Sequence, residues 1–546
     1  MPVRKLPREL RAIGNSARRH CSARVGRVKF AVATTGRGSG IAKSRSPLEN
    51  TTLAARPGQP AGEFFLTGGR TMFARMLSDG QVERIHNASM AILERVGVVV
   101  PHDDMLRRLA EAGARVDKAA HRAYIPERLI VRTLAEARKE FTLYGRDLSK
   151  TAAFGQGKRN YNSIAGEASW VDEPGGPRRY ATLADASTAA RFGDALSHIN
   201  IPGAMTDPMD VPVEVRAVEV LAAMIKATTK PVTFWFHDRP SARFIVEMLI
   251  ALRGGERAAA AYPLCYPFLE PISPLRFPFN GIDLLYETAR LDLPVPVGPM
   301  AQMGLSAPGT IAGTLAQQNA EVLAGIVIVQ LVKPGLPVVY GGICHAFDMR
   351  TTQMIFAGPE QAIFGVAMTQ MGKRYGLPVY INVGLTDSKR PDAQAGLEAG
   401  VTLALGAAAG ADIFGHMGIC GVDQATSLDV LVLQNEVISY VESMMREVDY
   451  SDETLGLDVL EEVGPGGSFI DQMHTAQHFR RELWFPKLLD REFYQAWLEG
   501  GATSTEERAR AAREDILRAH TAEPPPEDLV KAIDEITKAA RKELVH

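Results

Sequence analysis

"LPVVYGGICHAFDMRTTQMIFAGPEQAIFGVAMTQMGKRYGLPVYINVGLTDSKRPDAQAGLEAGVTLALGAAAGADIFGHMG", residues 336–418, decides the fold. Three short runs rich in apolar and β-branched residues, 337–343, 378–383 and 412–417, alternate with two longer segments, 359–375 and 391–409. The short runs have strand length; the longer ones have helix length and alanine-rich composition. Pro359 and Pro391 stand where each helix begins, a position whose N–H has no partner within the helix. Strand followed by helix, repeated, is the pattern of βαβ units on a parallel sheet.

The same rhythm extends towards the N-terminus, with strands predicted at 162–166, 200–205, 231–237, 262–268 and 295–300. Helices are predicted near 182–196, 212–227, 241–252, 282–291 and 308–332, and a last one at 425–446 closes the series. Eight strand–helix units over residues 160–448 predict an α/β protein of the (β/α)8 TIM-barrel type. No GxGxxG follows a first strand, which counts against a doubly wound sheet. Residues 72–159 read as a small N-terminal α+β cap and 449–546 as a C-terminal helical extension. Residues 1–71 read as a basic extension: twelve Lys or Arg residues face one acidic residue, Glu9, within the first 46. That composition suits a disordered tail, a targeting segment or a start codon placed too far upstream.

The 546 residues are 46% hydrophobic and 23% charged, with a net charge of −2 and a pI near 6.7. No basic field favours nucleic acid or an acidic membrane, so the expected partner is a small molecule or another protein. The longest apolar run, near 325–332, is short for a membrane span. Cys21, Cys265, Cys344 and Cys420 form no CxxC pair, as expected in a reducing, cytoplasmic setting.

In a barrel the chemistry sits at the C-terminal ends of the strands. That rule selects "FWFHDR" (Phe234, Trp235, Phe236, His237), "CYPFLEP" (Phe268, Glu270), "GPMAQMGLS" (Gln302), "YGGICHAFDMR" (Tyr340, His345, Phe347, Arg350), Phe356, and Lys389. Aromatic residues gather there although they make up 7% of the chain. They either wall a pocket for an alkylated ammonium group or fill the top layer of the barrel.

The segments "AILERVGVVVPHDDMLRRLAEAGARVD", "FTLYGRD", "EPISPLRF", "LVKPGLPVVYGG" and "TDSKRPDAQAGLEAG" resemble the trimethylamine methyltransferase family. The likeness runs from about Met76 to near Leu517. It implies a corrinoid-dependent barrel enzyme that passes a methyl group to the cobalt of cobalamin held by a partner protein. Archaeal members carry pyrrolysine, and its position falls on or near Lys389, an ordinary lysine here. Without that residue's imine, a tertiary amine is a poor methyl donor. The resemblance therefore implies a quaternary amine, glycine betaine or a similar betaine, no pyrrolysine and no metal of the enzyme's own. It also implies a homo-oligomer. Phe234, Trp235, Phe268, Tyr340, Phe347 and Phe356 are then candidates for an ammonium cage, with Gln302 beside them. Arg350 or His345 is placed to meet a carboxylate, Glu270 to balance the cation, and Lys389 to touch substrate or lie in solvent.

Two rival chemistries use other residues. Cys265, Cys344 and Cys420 all fall at strand ends and could supply thiolates to zinc in a zinc-dependent methyltransferase. Lys389 could form a Schiff base in a lyase or aldolase, given desolvation or a cationic neighbour such as Arg390. A betaine-binding module without catalysis is the third reading.

Overall fold

The computed structural model describes residues 74–545, so the basic segment 1–71 lies outside the described residues. Five strands form one parallel sheet in the order Asn160–Ser163, Ile413–Met417, Val379–Ile381, Val338–Gly342, Val295–Val297. All of their residues are buried, as expected for a parallel sheet covered on both faces. The segments expected as strands at 200–205, 231–237 and 262–268 form isolated bridges instead. Asn162 pairs with Ile201, Gly203 with Thr233 and Leu269 with Val297, all parallel. Val232 N donates to Leu264 O at 3.1 Å, which joins the second and third of these segments. Prolines at 202, 231, 263 and 267 remove ladder donors from this side, which explains its looser pairing.

Helices follow each of these segments close to the expected bounds, including Leu183–Ala195, Val213–Ala227, Arg239–Arg253, Pro359–Arg374, Ala393–Ala409 and Leu428–Met444. Local chemistry sets their ends. Asp392 accepts from Ala395 N at the start of Ala393–Ala409, and Gly410 at φ 86° closes it. Among the described residues Ile311–Val332 is the longest helix. Its 22 residues are long and apolar enough to span a bilayer, but 89% of its apolar window is buried inside the protein. It is a core helix wrapped on all sides.

The N-terminal helices Asp79–Arg95, Asp103–Glu111 and Glu127–Glu136 accompany a small three-stranded sheet. A hairpin, Phe141–Tyr144 with Thr151–Phe154, then packs Phe141, Leu143 and Phe154 against Val339, Tyr380 and Ile413. Val338 N donates to Arg138 O and Gly155 N to Asp412 Oδ1, so this hairpin closes the N-terminal end of the strands. Gly415 lies so close to Tyr380 that a Cβ would sit 1.9 Å from the phenol oxygen.

At the opposite end the loops build two sheets that the sequence does not announce. Gln302–Met303 pairs with His345–Asp348, which pairs with Gln353–Ile355. Ser169–Val171 and Arg178–Tyr180 join Ile419–Cys420 and Ala425–Thr426. Strands this short carry no usable period. Beyond the last of the main helices the chain turns back. Arg513, on Thr505–Ala519, pairs with Asp429 at 2.9 Å, and Arg541, on Glu527–Leu544, pairs with Glu219.

Candidate functional site

A cavity of about 540 Å³ opens at the C-terminal ends of the 231–237, 262–268 and 295–300 segments. Trp235, Phe236 and Phe268 wall it, and His237, Glu270 and Gln302 supply its polar groups. Trp235 is fixed by its own indole, whose Nε1 donates to Gly166 O at 2.9 Å. Phe268 meets Trp235 edge-on, with centroids 6.3 Å apart, and meets Tyr380 edge-on at 5.6 Å. Gly298 makes room for that ring, since a Cβ there would lie 2.6 Å from Phe268 Cζ.

Carboxyl groups converge on the same end of the sheet from loops far apart in sequence. Glu270 lies in the cavity wall; burial first, and Asp423 second, push its carboxyl up to about 7. Burial pushes the carboxyls of Glu167 and Asp423 above the usual carboxylate range, Glu167 the further, and the acidic neighbours Asp423, Glu270 and Asp207 add to the rise at Glu167. Burial opposes ionisation of Asp207 too, yet its bonds to His237 and Arg216 hold it below the usual range. Those bonds are 3.3 Å to His237 Nε2 and 2.8 Å to Arg216 Nη1. Burial disfavours charge on His237, but Asp207 outweighs burial and raises it. Among the described residues, Asp207 is thus paired with cations, whereas no ion pair joins Glu167, Glu270 or Asp423 to one.

The backbone beside these groups is unusual. His416, Val422 and Asp423 all take left-handed conformations, with φ of 76°, 62° and 57°. For a β-branched residue such as Val422 this is a true outlier, and such strain persists where surrounding structure enforces it.

The structure separates the residues proposed from the sequence. Trp235, Phe268, Glu270 and Gln302 share the cavity. Phe234, one residue from Trp235, is buried outside the cavity lining and stacks on Phe236 with ring centroids 4.7 Å apart. Tyr340 is also turned outward, and its hydroxyl donates to Asn319 Oδ1 at 2.7 Å. Phe347 lies half-buried opposite Met354 in a small loop sheet. His345 is fully buried and stacks on Phe356 with centroids 4.7 Å apart. Burial lowers its imidazole to about 3, and burial does the same to His416, whose Nδ1 lies 3.3 Å from Asn382 Nδ2. Arg350 is 88% exposed and pairs with Asp348 at 3.1 Å. Lys389 is exposed, and its Nζ donates to Asp387 O at 2.8 Å.

The rival chemistries fare differently from the cavity. Cys265, Cys344 and Cys420 are buried free thiols. Burial pushes Cys265 and Cys420 up to about 12 and Cys344 further, away from the thiolate that zinc requires. Among the described residues no three His, Cys, Asp or Glu side chains converge as a metal site would need. Exposure of Lys389 removes the desolvation a Schiff-base lysine depends on.

Glu167, Asp207 and Asp423 escape the sequence reading. Glu167 follows the first strand of the sheet order and Asp423 its neighbour in the sheet, so their loops leave the same end side by side. That adjacency was the available signal.

The trimethylamine methyltransferase (MTTB) family model matches residues 58–544. Glycine betaine methyltransferase of Desulfitobacterium hafniense (strain Y51) is 31% identical over 444 residues, covering 81% of this chain and 92% of that protein. Trimethylamine methyltransferase MttB of Methanosarcina thermophila is 29% identical over 479 residues, covering 84% and 95%. The crystal structure of Methanosarcina barkeri monomethylamine methyltransferase (MtmB) aligns with a TM-score of 0.41 at 12% identity, covering 88% of this chain and 97% of that one. The chain belongs to the trimethylamine methyltransferase family.

Proposed function

We propose that the chain takes a methyl group from a quaternary ammonium compound, glycine betaine or a similar betaine, and passes it to a corrinoid carried by a partner protein. The observation that carries this reading is the cavity of Trp235, Phe236 and Phe268 beside the uncompensated acid Glu270. A tetra-alkylated nitrogen has no N–H to donate, so aromatic faces and negative charge are what can recognise it, with about 2 kcal/mol per desolvated ring contact. Its amine leaves neutral once a methyl is lost, so no general acid is required. Catalysis then rests on positioning and on excluding water along the line of attack. The corrinoid, in its reduced state, supplies the nucleophile.

Trp235 and Phe268 hold the cation, Glu270 balances its charge, and the Gln302 amide is placed to donate to a betaine carboxylate. Ile272 and Leu305, 52% and 60% exposed, stand in the cavity wall and offer an apolar lip to the partner. Lys389, held by the Asp387 carbonyl, has no step in this mechanism. The name of the Desulfitobacterium relative supports the choice of betaine over a tertiary amine.

The finer architecture belongs to the same reading. Residues 160–448 form a (β/α)8 barrel, supported by bridges that join the 162, 201, 233 and 269 segments to the edges of the five-stranded sheet. Residues 72–159 are its cap and 449–546 its helical extension. Tyr450, Leu457, Ile470, Phe493 and Tyr494 are all more than 60% exposed on that extension, which supports self-association of this chain.

The test is methyl transfer to chemically reduced cobalamin from a panel of amines. Turnover of at least one quaternary amine, with none of trimethylamine, is expected. Turnover of trimethylamine alone would overturn the reading.

A further inference from the structure

Among the described residues that line the cavity, His237 alone can carry a positive charge and Glu270 alone a negative one. The geometry around His237 sets its state. Its Nε2 lies 3.3 Å from Asp207 Oδ1, and its Nδ1 lies 3.3 Å from the Val213 carbonyl oxygen. Neither oxygen has a hydrogen to give: a carbonyl never does, and Arg216 Nη1, 2.8 Å from Asp207 Oδ2, keeps that carboxyl ionised. A neutral imidazole would turn a lone pair towards one of them, whereas an imidazolium donates to both. His237 is therefore the cation at the end of an Arg216–Asp207–His237 row, in which one carboxylate stands between two positive groups and leaves a net positive charge. The row is fixed in place. Arg216 also donates to Val211 O, and Asp207 N donates to Glu167 O at 2.9 Å, next to the Gly166 carbonyl that accepts from the Trp235 indole. A plain quaternary ammonium ion in this cavity gains from Glu270 and is opposed by His237. A zwitterion gains from both, with its nitrogen facing Trp235 and Phe268 and its carboxylate towards His237.

We propose that His237 selects substrates that carry a carboxylate as well as a quaternary nitrogen, so that the site takes betaines in preference to choline or simpler ammonium ions. This rests on the cation-binding reading given above and assigns the residue that tells one quaternary amine from another. Both ring N–H groups are spent on Asp207 and Val213, so His237 acts through its charge. The hydrogen bonds to the carboxylate fall to Gln302 and Asn280, whose amides line the same cavity. The charged groups facing His237 are Asp207 and Arg216: burial opposes the charge, Asp207 outweighs burial, and Arg216 takes back a part, which leaves the imidazole above its usual 6.5. The preference for a zwitterion is therefore complete below about 6.5 and is lost as pH rises through the titration of His237. Glu270 titrates at about 7, but it acts alike on every quaternary nitrogen and drops out of the ratio of two affinities.

The test is isothermal titration of the full chain with glycine betaine and with choline, two trimethylammonium compounds that differ in carrying a carboxylate or a hydroxyl, at about pH 6 and about pH 9. At the lower pH the native chain should bind glycine betaine at least about tenfold more tightly than choline, the lower end of what close charge pairs contribute across an interface. At the higher pH the ratio should fall towards one. His237→Gln should weaken glycine betaine by about tenfold at the lower pH, leave choline within about twofold, and remove the pH dependence of the ratio. Equal weakening of both compounds would show a role in shape alone and overturn the proposal, as would a variant that keeps the native ratio. Where His237→Gln does not fold, the native chain decides: a ratio that is the same at both pH values overturns the proposal. Binding of both compounds without preference also overturns it and leaves the cation site standing. Absence of binding by glycine betaine and choline alike overturns it together with the functional reading beneath it.

Discussion

Two polar regions lie near the C-terminal ends of the strands, and they are built on opposite terms. The cavity walled by Trp235 and Phe268 is open and acidic, and Glu270 stands in it without a cationic partner. The region around His345, Gln361, Asn382 and His416 is closed, neutral and fully buried. There Gln361 Nε2 donates to Asn382 O at 2.6 Å, and both imidazoles are kept uncharged by burial. The first region is arranged to gain something from a ligand's charge. The second has a shape to protect. Polar side chains at strand ends thus divide into acids that line an open cavity and neutral groups that are closed into the packed layer above the sheet.

The largest effect should come from removing the uncompensated acid. Glu270→Gln should raise KM for a quaternary amine by about 30-fold or more, as loss of a buried charge partner costs about 2–5 kcal/mol. Steady-state methyl transfer measures it, and an unchanged KM would merge the two regions into one structural layer. Trp235→Ala should cost about 30-fold in kcat/KM, the equivalent of about 2 kcal/mol for one desolvated cation–π contact, and the same change at Phe234, outside the cavity lining, should lower thermal stability without altering KM.

The closed region should announce itself in acid. His345 and His416 have folded pKa values near 3, below the usual 6.5. The unfolded chain therefore takes up protons first as pH falls, so their stabilisation is complete above about 6.5 and is lost progressively down to about 3. Each ring should account for about 2 kcal/mol of destabilisation by pH 5. Urea unfolding of the native chain and of a His345→Gln variant at pH 7 and pH 5 would show it; a pH-independent midpoint would contradict the burial of these rings. The smallest effects belong to Arg350→Ala and Lys389→Ala. Both side chains are exposed, so stability should move by less than about 0.5 kcal/mol and KM by less than about twofold.

Much of the fold could be read from residues 336–418 alone, because β-branched runs between capped, alanine-rich helices leave few alternatives. The bounds of Pro359–Arg374 and Ala393–Ala409 fell within a few residues of their caps. The proline-broken side beyond the five-stranded sheet was harder, since its segments at 201, 233 and 264 pair through single bridges or bonds. The site was half legible. "FWF" shows that aromatic residues reach a strand end, but not which of Phe234, Trp235 and Phe236 enters the cavity, since parity depends on how the segment meets the curled sheet. Tyr340 was misleading for the same reason. Glu167 and Asp423 look like ordinary loop acids in sequence; the adjacency of the strands they follow is what places their loops at one end of the sheet. The left-handed turn at Val422 and Asp423, which aims the loop, leaves no compositional trace.

One measurement bears most directly on where the substrate nitrogen sits: a crystal structure of the full chain with tetramethylammonium or glycine betaine bound. The quaternary nitrogen should lie within about 6 Å of the ring centroids of Trp235 and Phe268, with Glu270 facing it. A cation bound instead beside His345 and His416, or a cavity at Trp235 that stays empty at saturating ligand, would contradict the account.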